Sequence, residues 1–254
     1  MTIPRIYSPV ELDKGKLCRL GRDNYKYLKQ ILRLEPGDGI SIFDGFGHEF
    51  TARIKSFSAA GVDIELGEKM ETAGREIKIT LGQALPKTGK MDIIVRNAAE
   101  LGADVIIPFA AARSVSRVTG EKILLKAARW QKIAREAARC CRSAQITEVL
   151  PIVPFEAMLA LADRRALKMI FWEEEERKSI KDILTDPAWL KAKDIFIVVG
   201  PEGGFSREEI LRAKETGFIS VSMGKQILKV ETAAPAIISI IQYEKGIFSS
   251  TSGR

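Results

Sequence analysis

Histidine, cysteine and long apolar runs are all scarce in this chain of 254 residues. His48 is the one histidine, which excludes a multi-histidine metal centre, so we expect no metal site. The three cysteines, Cys18, Cys140 and Cys141, lack the spacing of a disulfide framework and indicate a reducing, cytoplasmic setting. Without a run of about 18 apolar residues or an apolar signal core near Met1, we expect neither membrane insertion nor export.

Basic side chains exceed acidic ones by seven, and the excess lies in two blocks. Residues 1–34 carry eight basic and three acidic side chains, and residues 76–150 carry 13 and seven. Residues 35–75 have the opposite balance, with four basic and eight acidic side chains. Two separate basic blocks indicate a polyanionic partner, although two well-solvated faces would explain the same distribution.

Two kinds of apolar pattern divide the chain. Alternating residues over 40–43, 50–57 and 62–66, with polar turns between them, predict a small β barrel or sandwich. From residue 77 onward, predicted strands alternate with predicted helices, which indicates an α/β domain with a mostly parallel sheet. Because residues 68–75 are polar and unpatterned, we place the two domains at 1–72 and 73–254.

A glycine-rich turn, GPEGGF over 200–205, follows the strand predicted for 195–199. It precedes a predicted helix with a capping box between Ser206 and Glu209. Such a turn lets the backbone approach a ligand at the carboxyl end of a parallel strand, where open α/β sheets bind ligands. It matches neither the dinucleotide fingerprint nor a phosphate-binding loop, and turn geometry alone explains its glycines equally well.

Two further segments lie at predicted strand ends. Residues 223–234, MGKQILKVETAA, lead into the last predicted helix, where we expect Thr232 to cap the helix and Glu231 to interact with its positive end. Trp172 ends another strand and is followed by four glutamates, Glu173 to Glu176. This acidic stretch is either a solvated loop or the wall of a pocket.

A row of basic residues follows helical spacing over the helix predicted for 121–141. Like charges at this spacing destabilise a helix, and contact with phosphates would explain their presence. A solvated helix face is the alternative. The basic row consists of Lys122, Lys126, Arg129, Lys132, Arg135, Arg139 and Arg142.

Taken together, these motifs resemble the RsmE family of bacterial small-subunit (16S) ribosomal RNA uracil-N3 methyltransferases. The strongest match is IFIVVGPEGGFSREEI, followed by GFISVSMGKQILKVETAA. Supporting matches are LGQALPKTGKMDIIVRNAAELGADVIIPF, RWQKIAREAARCC and RLEPGDGISIFDG, so the similarity covers nearly the whole chain. The resemblance implies a PUA-like β-barrel domain and a SPOUT-type parallel sheet with a C-terminal deep trefoil knot. It also implies a homodimer that binds S-adenosylmethionine in the knot.

The resemblance assigns roles to named positions. It implies that S-adenosylmethionine contacts Phe171, Trp172, Gly200, Pro201, Glu202, Gly203, Gly204, Met223, Gly224, Lys225, Ile227, Leu228, Thr232 and Ala233. The candidates for placing the target base are Arg113, Arg142, Lys229, Glu231 and Thr232. We expect RNA contacts at Arg19, Arg22, Arg33, Lys126, Arg129 and Arg139.

The implied reaction is methyl transfer to N3 of a uridine in 16S ribosomal RNA of the small subunit. It requires alignment of donor and acceptor and stabilisation of the deprotonated uracil by a nearby cation. The general base is not assigned: Glu202 and Glu231 are possible, but a turn and a helix cap explain these two residues equally well. The sequence departs from the family pattern at residues 96–99, Ala112, residues 139–143 and Lys229. We expect these departures to affect the contacts with RNA more than the contacts with the methyl donor. The alternatives are a non-catalytic RNA-binding or ribosome-assembly factor and a SPOUT enzyme that methylates another RNA.

Overall fold

The computed structural model describes residues 3–9, 12, 16–72, 74–87, 89–114 and 120–247. They form two compact units. The first unit contains Met1–Gly74 and Ala138–Ile146, and the second contains Arg75–Ala137 and Thr147–Arg254. Residues 138–146, which the sequence analysis placed in the second domain, therefore group with the first unit.

The first unit is built on a five-stranded sheet. Its strands are β1 (Arg5–Tyr7), β2 (Leu17–Leu20), β3 (Gly39–Phe43), β4 (Glu49–Ser58) and β5 (Gly61–Met70). In the order β1-β3-β4-β5-β2, β1 pairs with β3 in parallel and the other neighbours are antiparallel. The three strands predicted here are confirmed, although β5 extends to Met70, into the segment expected to be an unpatterned boundary.

Apolar residues at helical spacing over 27–32 lie in a helical segment between β2 and β3. It consists of α1 (Arg22–Tyr25), which continues as a π-helical segment, Lys26–Ile31. Leu28 in this segment is fully buried and packs into the first unit's core with alternate residues of β4 and β5. The strands β1 and β2 were not predicted, because three or four residues are too few to show an alternating pattern.

A buried arginine explains why residues 138–146 belong to the first unit. The Arg5 guanidinium donates hydrogen bonds to the carbonyl oxygens of Ala138 at 2.9 Å and Ser143 at 2.8 Å. It also pairs with the Glu49 carboxylate at 2.9 Å and lies 3.8 Å from the centre of the Phe43 ring. A buried charge needs such partners, so Arg5 fixes this segment against β3 and β4.

The second unit is an α/β fold with a parallel sheet, as predicted. Its strands are β6 (Lys78–Ala84), β7 (Val105–Ala110), β8 (Glu148–Val149), β9 (Val153–Pro154), β10 (Leu167–Phe171), β11 (Asp194–Val199) and β12 (Ile219–Val221). The strand order is β12-β10-β11-β6-β7-β8, with β9 also paired to β7, and every pairing is parallel. The buried run of β11 agrees with a sheet covered on both faces.

Seven helices of the described chain belong wholly or mainly to the second unit. They are α2 (Lys90–Glu100), α3 (Glu121–Cys140), α4 (Phe155–Ala160), α5 (Ile180–Leu184), α6 (Pro187–Lys191), α7 (Arg207–Glu215) and α8 (Val230–Glu244). The predicted helices α2, α3, α7 and α8 are confirmed, and α7 has the expected capping box. Helices α4 to α6 are too short to show a helical period. None of the described helices is long and apolar enough to cross a membrane.

The predicted cap of the last helix is wrong. Helix α8 begins at Val230, and its N-cap residue is Lys229, which is extended and makes no side-chain cap. Thr232 lies in the first turn, where its backbone N–H donates to the Lys229 carbonyl oxygen at 2.8 Å. The helix begins early because Val230 is buried in the core of the unit.

Candidate functional site

The second unit contains a cavity of about 1190 Å³ at the carboxyl ends of three neighbouring strands. Phe171 of β10 is in register with Val199 of β11 and with Val221 of β12, so these strands end together. The loops that follow them meet at this edge of the sheet, as ligand-binding loops do in open parallel sheets. We call this space the strand-end cavity.

The strand-end cavity brings together the predicted cofactor residues, with one exception. Thr232 is exposed and lies outside the cavity lining, because α8 begins before it. The acidic stretch also lines the cavity, through Glu173, Glu175 and Glu176. The predicted cofactor residues in the cavity lining are Phe171, Trp172, Gly200, Pro201, Glu202, Gly203, Gly204, Met223, Gly224, Lys225, Ile227, Leu228 and Ala233.

Close packing requires the glycines of the 200–205 turn. A Cβ atom on Gly204 would lie 1.7 Å from a carboxylate oxygen of Glu173, and its φ of +67° disfavours any side chain. A Cβ on Gly203 would lie 3.2 Å from Cβ of Arg113, and the Arg113 guanidinium donates to the Gly203 carbonyl oxygen at 2.9 Å. The turn thus has a demanding geometry and also forms a cavity wall, while the approach of its backbone to a ligand stays a prediction.

A lysine joins two carboxylates in the cavity wall. Nζ of Lys90, the first residue of α2, lies 3.0 Å from Glu202 and 3.0 Å from Glu231. The backbone N–H of Lys87 also donates to the Glu202 carboxylate at 3.1 Å. These contacts connect α2, the 200–205 turn and α8, so Lys90 holds three cavity walls together.

The Lys90 network is charged at neutral pH. Hydrogen bonds to Glu202 and Glu231 raise the pKa of Lys90. Burial opposes ionisation of Glu202, but hydrogen bonds from its own backbone N–H and from Lys90 lower its pKa overall. The pKa of Glu231 is lowered by its own backbone N–H and then by Lys90. Carboxylates that are stabilised in this way are poor general bases.

Lys90 was not predicted to belong to the site, although one signal in the sequence pointed to it. A lysine as the first residue of a helix faces the positive end of the helix dipole, which disfavours a cation. Two nearby carboxylates compensate for this cost, and Glu202 and Glu231 were both already candidates. Their separation from Lys90 by more than one hundred residues hid the contact.

Glu175 is the most strongly held member of the acidic stretch. Its carboxylate accepts a hydrogen bond from the Ser220 hydroxyl and lies 3.7 Å from Nζ of Lys214. Burial raises its pKa, but Ser220 and the backbone N–H of Arg177 outweigh burial and lower the pKa overall. Glu175 therefore remains negative in the cavity wall.

The candidates for placing the target base belong to different units of the structure. Lys229 and Glu231 line the strand-end cavity, and Arg113 contacts its glycine-rich wall. Arg142 belongs to the first unit and lines a groove of about 1410 Å³ there. Thr232 lies outside both linings.

The predicted RNA-binding residues of the amino-terminal block lie at the surface of the first unit. Arg19 pairs with Asp63 at 2.7 Å, and Arg22 donates to the carbonyl oxygen of Ala59 at 3.2 Å. Arg33 is exposed, and its φ of +57° is unusual for a residue with a side chain. Arg19 is therefore engaged within the fold, whereas Arg33 is an exposed side chain on a strained backbone.

Several side chains of the basic row have contacts within the fold that the spacing of the row did not predict. Arg129 forms an ion pair with Asp92, which also accepts a hydrogen bond from the Trp130 indole, so this member of the row has a partner within the fold. Lys126 lies 5.8 Å from the centre of the Trp130 ring. Arg139 donates to the Tyr27 hydroxyl at 3.3 Å and lines the groove of the first unit. Arg142 follows the end of α3.

Sequence comparison identifies the family of the chain. The model of an RNA methyltransferase domain family matches residues 74–242, and that of an RNA methyltransferase PUA domain matches residues 20–66. The chain belongs to the RNA methyltransferase family. The PUA-like character predicted for the amino-terminal domain is thereby confirmed for this family member.

Curated and solved relatives of this RNA methyltransferase cover almost its full length. A ribosomal RNA small subunit methyltransferase E of Bacillus subtilis is 30% identical over 237 residues, 92% of this chain and 93% of the relative. The protein of the same name from Rickettsia conorii is 29% identical over 95% of this chain and 96% of its own length. The crystal structure of a ribosomal RNA small subunit methyltransferase E from Neisseria gonorrhoeae, bound to S-adenosylmethionine, has a TM-score of 0.86 at 29% identity. The match covers 97% of this chain and 98% of that one.

Proposed function

We propose that the protein transfers a methyl group from S-adenosylmethionine to N3 of a uridine in the 16S ribosomal RNA of the small subunit. The observation that carries the proposal is the strand-end cavity, which gathers all but one of the predicted cofactor residues in a chain of the RNA methyltransferase family. The names of the curated relatives support a small-subunit ribosomal RNA as the substrate. The N3 position rests on the resemblance of the sequence motifs.

The residues of the cavity fit S-adenosylmethionine. This molecule carries a sulfonium, an ammonium and a carboxylate, and acidic and basic side chains both line the cavity. Glu173 and Glu176 can face the positive groups, while Lys225 offers a partner for the carboxylate. Within the described chain, the buried Nε1 of Trp172 has no hydrogen-bond acceptor. A buried donor of this kind is costly unless a ligand satisfies it.

Bound S-adenosylmethionine would supply an electrophilic methyl group, and the chain would supply orientation and charge. The 200–205 turn and the 223–228 loop form different parts of the cavity wall and would fix the donor. Lys229, in the same lining, and Arg113, held on the Gly203 carbonyl oxygen, are the cations best placed to stabilise a deprotonated uracil. Glu202 and Glu231 then act as positioning residues through Lys90, since their lowered pKa values disfavour a role as general base.

Assembly and location belong to the same proposal. We infer a homodimer acting in the cytoplasm, where ribosomes are assembled. Exposed apolar side chains of the second unit supply surface for such an interface: Ile93, Leu124, Leu125, Ile227 and Tyr243. A trefoil knot in the segment that forms the cavity remains a prediction from the resemblance. Sedimentation of the purified chain at several concentrations tests the dimer, and a monomer at all of them would contradict it.

Labelled methyl transfer tests the proposed reaction. The purified protein is incubated with labelled S-adenosylmethionine and small ribosomal subunits that lack the modification, and the product nucleoside is identified by mass. We expect N3-methyluridine in 16S ribosomal RNA. A different methylated nucleoside would contradict the N3 assignment, and transfer only to transfer RNA or large subunits would contradict the substrate. Donor binding without transfer to any of them would favour a non-catalytic assembly factor.

A further inference from the structure

The first unit presents an aromatic ring to solvent at the tip of the hairpin between β3 and β4. Phe46 is 79% exposed in this hairpin tip, which comprises residues 44–48. Phenylalanine is usually buried, and an exposed ring contributes little to folding. Single exposed apolar residues are common in proteins, so what matters is how this ring is held and what surrounds it.

A buried carboxylate fixes the backbone beneath the ring. The Asp44 side chain is only 3% exposed, and its carboxylate accepts hydrogen bonds from the backbone N–H groups of Phe46 at 2.7 Å and His48 at 3.1 Å. It also lies 2.7 Å from Nδ1 of His48. These bonds to the buried Asp44 carboxylate close the turn, and the Phe46 ring is left exposed to solvent.

Further bonds attach the hairpin tip to the rest of the first unit. The Gly47 N–H donates to the Ala144 carbonyl oxygen at 3.1 Å, and the Ile146 N–H donates to the Gly45 carbonyl oxygen at 2.9 Å. The Thr72 hydroxyl donates to the Gly47 carbonyl oxygen at 2.6 Å. An exposed ring on an anchored backbone is preorganised, so a partner that stacks on it loses little entropy in ordering it.

The hairpin lies in the acidic block of residues 35–75, but its own carboxylates have partners within the fold. The two carboxylates of the hairpin are engaged within the fold, Asp44 with His48 and Glu49 with Arg5. Arg142 is exposed and lies two residues before the segment 144–146 that holds the hairpin tip. The half-exposed His48 side chain adds a second ring close to Phe46 in sequence. The hairpin thus offers an exposed ring whose neighbouring carboxylates are bonded within the fold.

We propose that Phe46 is a stacking site for an unpaired base of the substrate RNA. Aromatic side chains stack on splayed-out bases in single-stranded RNA, whereas bases inside a duplex are not accessible to them. The site would thus place an unpaired segment of RNA on the first unit through its base. This inference rests on the proposed action on ribosomal RNA.

The test measures binding of the full-length protein to deproteinised small-subunit ribosomal RNA. Phe46→Ala is expected to weaken binding by roughly fivefold or more, which corresponds to about 1 kcal/mol or more per stacked base. The slope of log affinity against log salt should stay unchanged, because the ring itself binds no phosphate. Leu17→Ala is the matched control, since Leu17 is 72% exposed on β2 of the same unit.

A second variant reports on stacking directly. Phe46→Trp should retain the wild-type affinity, and its additional tryptophan emission should be quenched when RNA is added. Unquenched emission in the RNA complex, or wild-type affinity of Phe46→Ala, would overturn the stacking site while the proposed function stands. A change in oligomeric state of Phe46→Ala without loss of RNA affinity would also overturn it, in favour of contact between copies. If the wild-type chain binds neither this RNA nor small ribosomal subunits that lack the modification, the proposed function fails together with the inference.

Discussion

The strand-end cavity and the hairpin tip show two different ways of building a binding surface. In the cavity, opposite charges are paired with one another, as Lys90 is with Glu202 and Glu231. At the hairpin tip, a buried carboxylate is bonded to the backbone of the turn, and an aromatic ring is left exposed. A small charged donor requires a closed and well-shaped site, whereas a large polyanion requires an accessible one. We therefore expect that each surface can be damaged without affecting the other.

The largest effect is expected from a bulky residue in the glycine turn. Gly203→Val places its side chain against Arg113, because even a Cβ there lies 3.2 Å from Cβ of that residue. We expect binding of S-adenosylmethionine to weaken by more than about tenfold, or about 1.4 kcal/mol, in a calorimetric titration. RNA affinity should be retained. Gly21→Ala serves as the control, since a Cβ there meets nothing within 4 Å, and loss of both affinities would indicate misfolding instead.

Neutralising part of the basic row should affect RNA alone. In a variant that combines Lys126→Gln, Arg129→Gln and Arg139→Gln, we expect weaker RNA binding. The slope of log affinity against log salt should fall by about 0.7 for each phosphate of single-stranded RNA that the variant no longer binds. Arg212→Gln is the control, because Arg212 is an exposed cation paired with Glu215 on α7. An unchanged slope in the triple variant would show that the row is solvated surface.

A smaller effect is expected when the lysine that joins the cavity walls is removed. Lys90→Met leaves Glu202 and Glu231 facing each other without a cation, so binding of S-adenosylmethionine should weaken several-fold in calorimetry. Lys90→Arg should restore part of the affinity. Lys87→Met controls for the removal of a positive charge nearby, because the backbone N–H of Lys87, which the substitution keeps, is the group that donates to Glu202. Equal affinities of Lys90→Met and the wild type would contradict the role of Lys90.

The smallest effect concerns pH. The lowered pKa values of Glu202 and Glu231 mean that their stabilising contribution is complete above the ordinary carboxyl pKa of about 4.3 and is lost as pH falls through the lowered values. The raised pKa of Lys90 preserves its contribution up to at least the ordinary lysine pKa of about 10.4. The difference in unfolding free energy between wild type and Lys90→Met should therefore be constant from about pH 6 to about pH 9 in urea titrations. A marked slope in that range would contradict the assignment.

Continuous motifs allowed much of this molecule to be predicted. The apolar run of β11, the capping box of α7 and the glycine turn between them are adjacent in sequence, and all were identified correctly. Contacts between distant residues could not be predicted, as the pairing of Lys90 with Glu231 and the attachment of residues 138–146 through Arg5 show. The Thr232 cap failed because burial of Val230, a tertiary effect, determines where α8 begins. Phe46 carried no motif, since only the fold reveals that its ring is exposed.

Crossed binding measurements on two variants test the division between the two surfaces most directly. Gly203→Val and Phe46→Ala are each titrated with S-adenosylmethionine and with deproteinised small-subunit ribosomal RNA. We predict that Gly203→Val loses affinity for the donor and retains it for RNA, and that Phe46→Ala does the reverse. Loss of both affinities in a folded variant, or loss of donor binding in Phe46→Ala, would contradict this division.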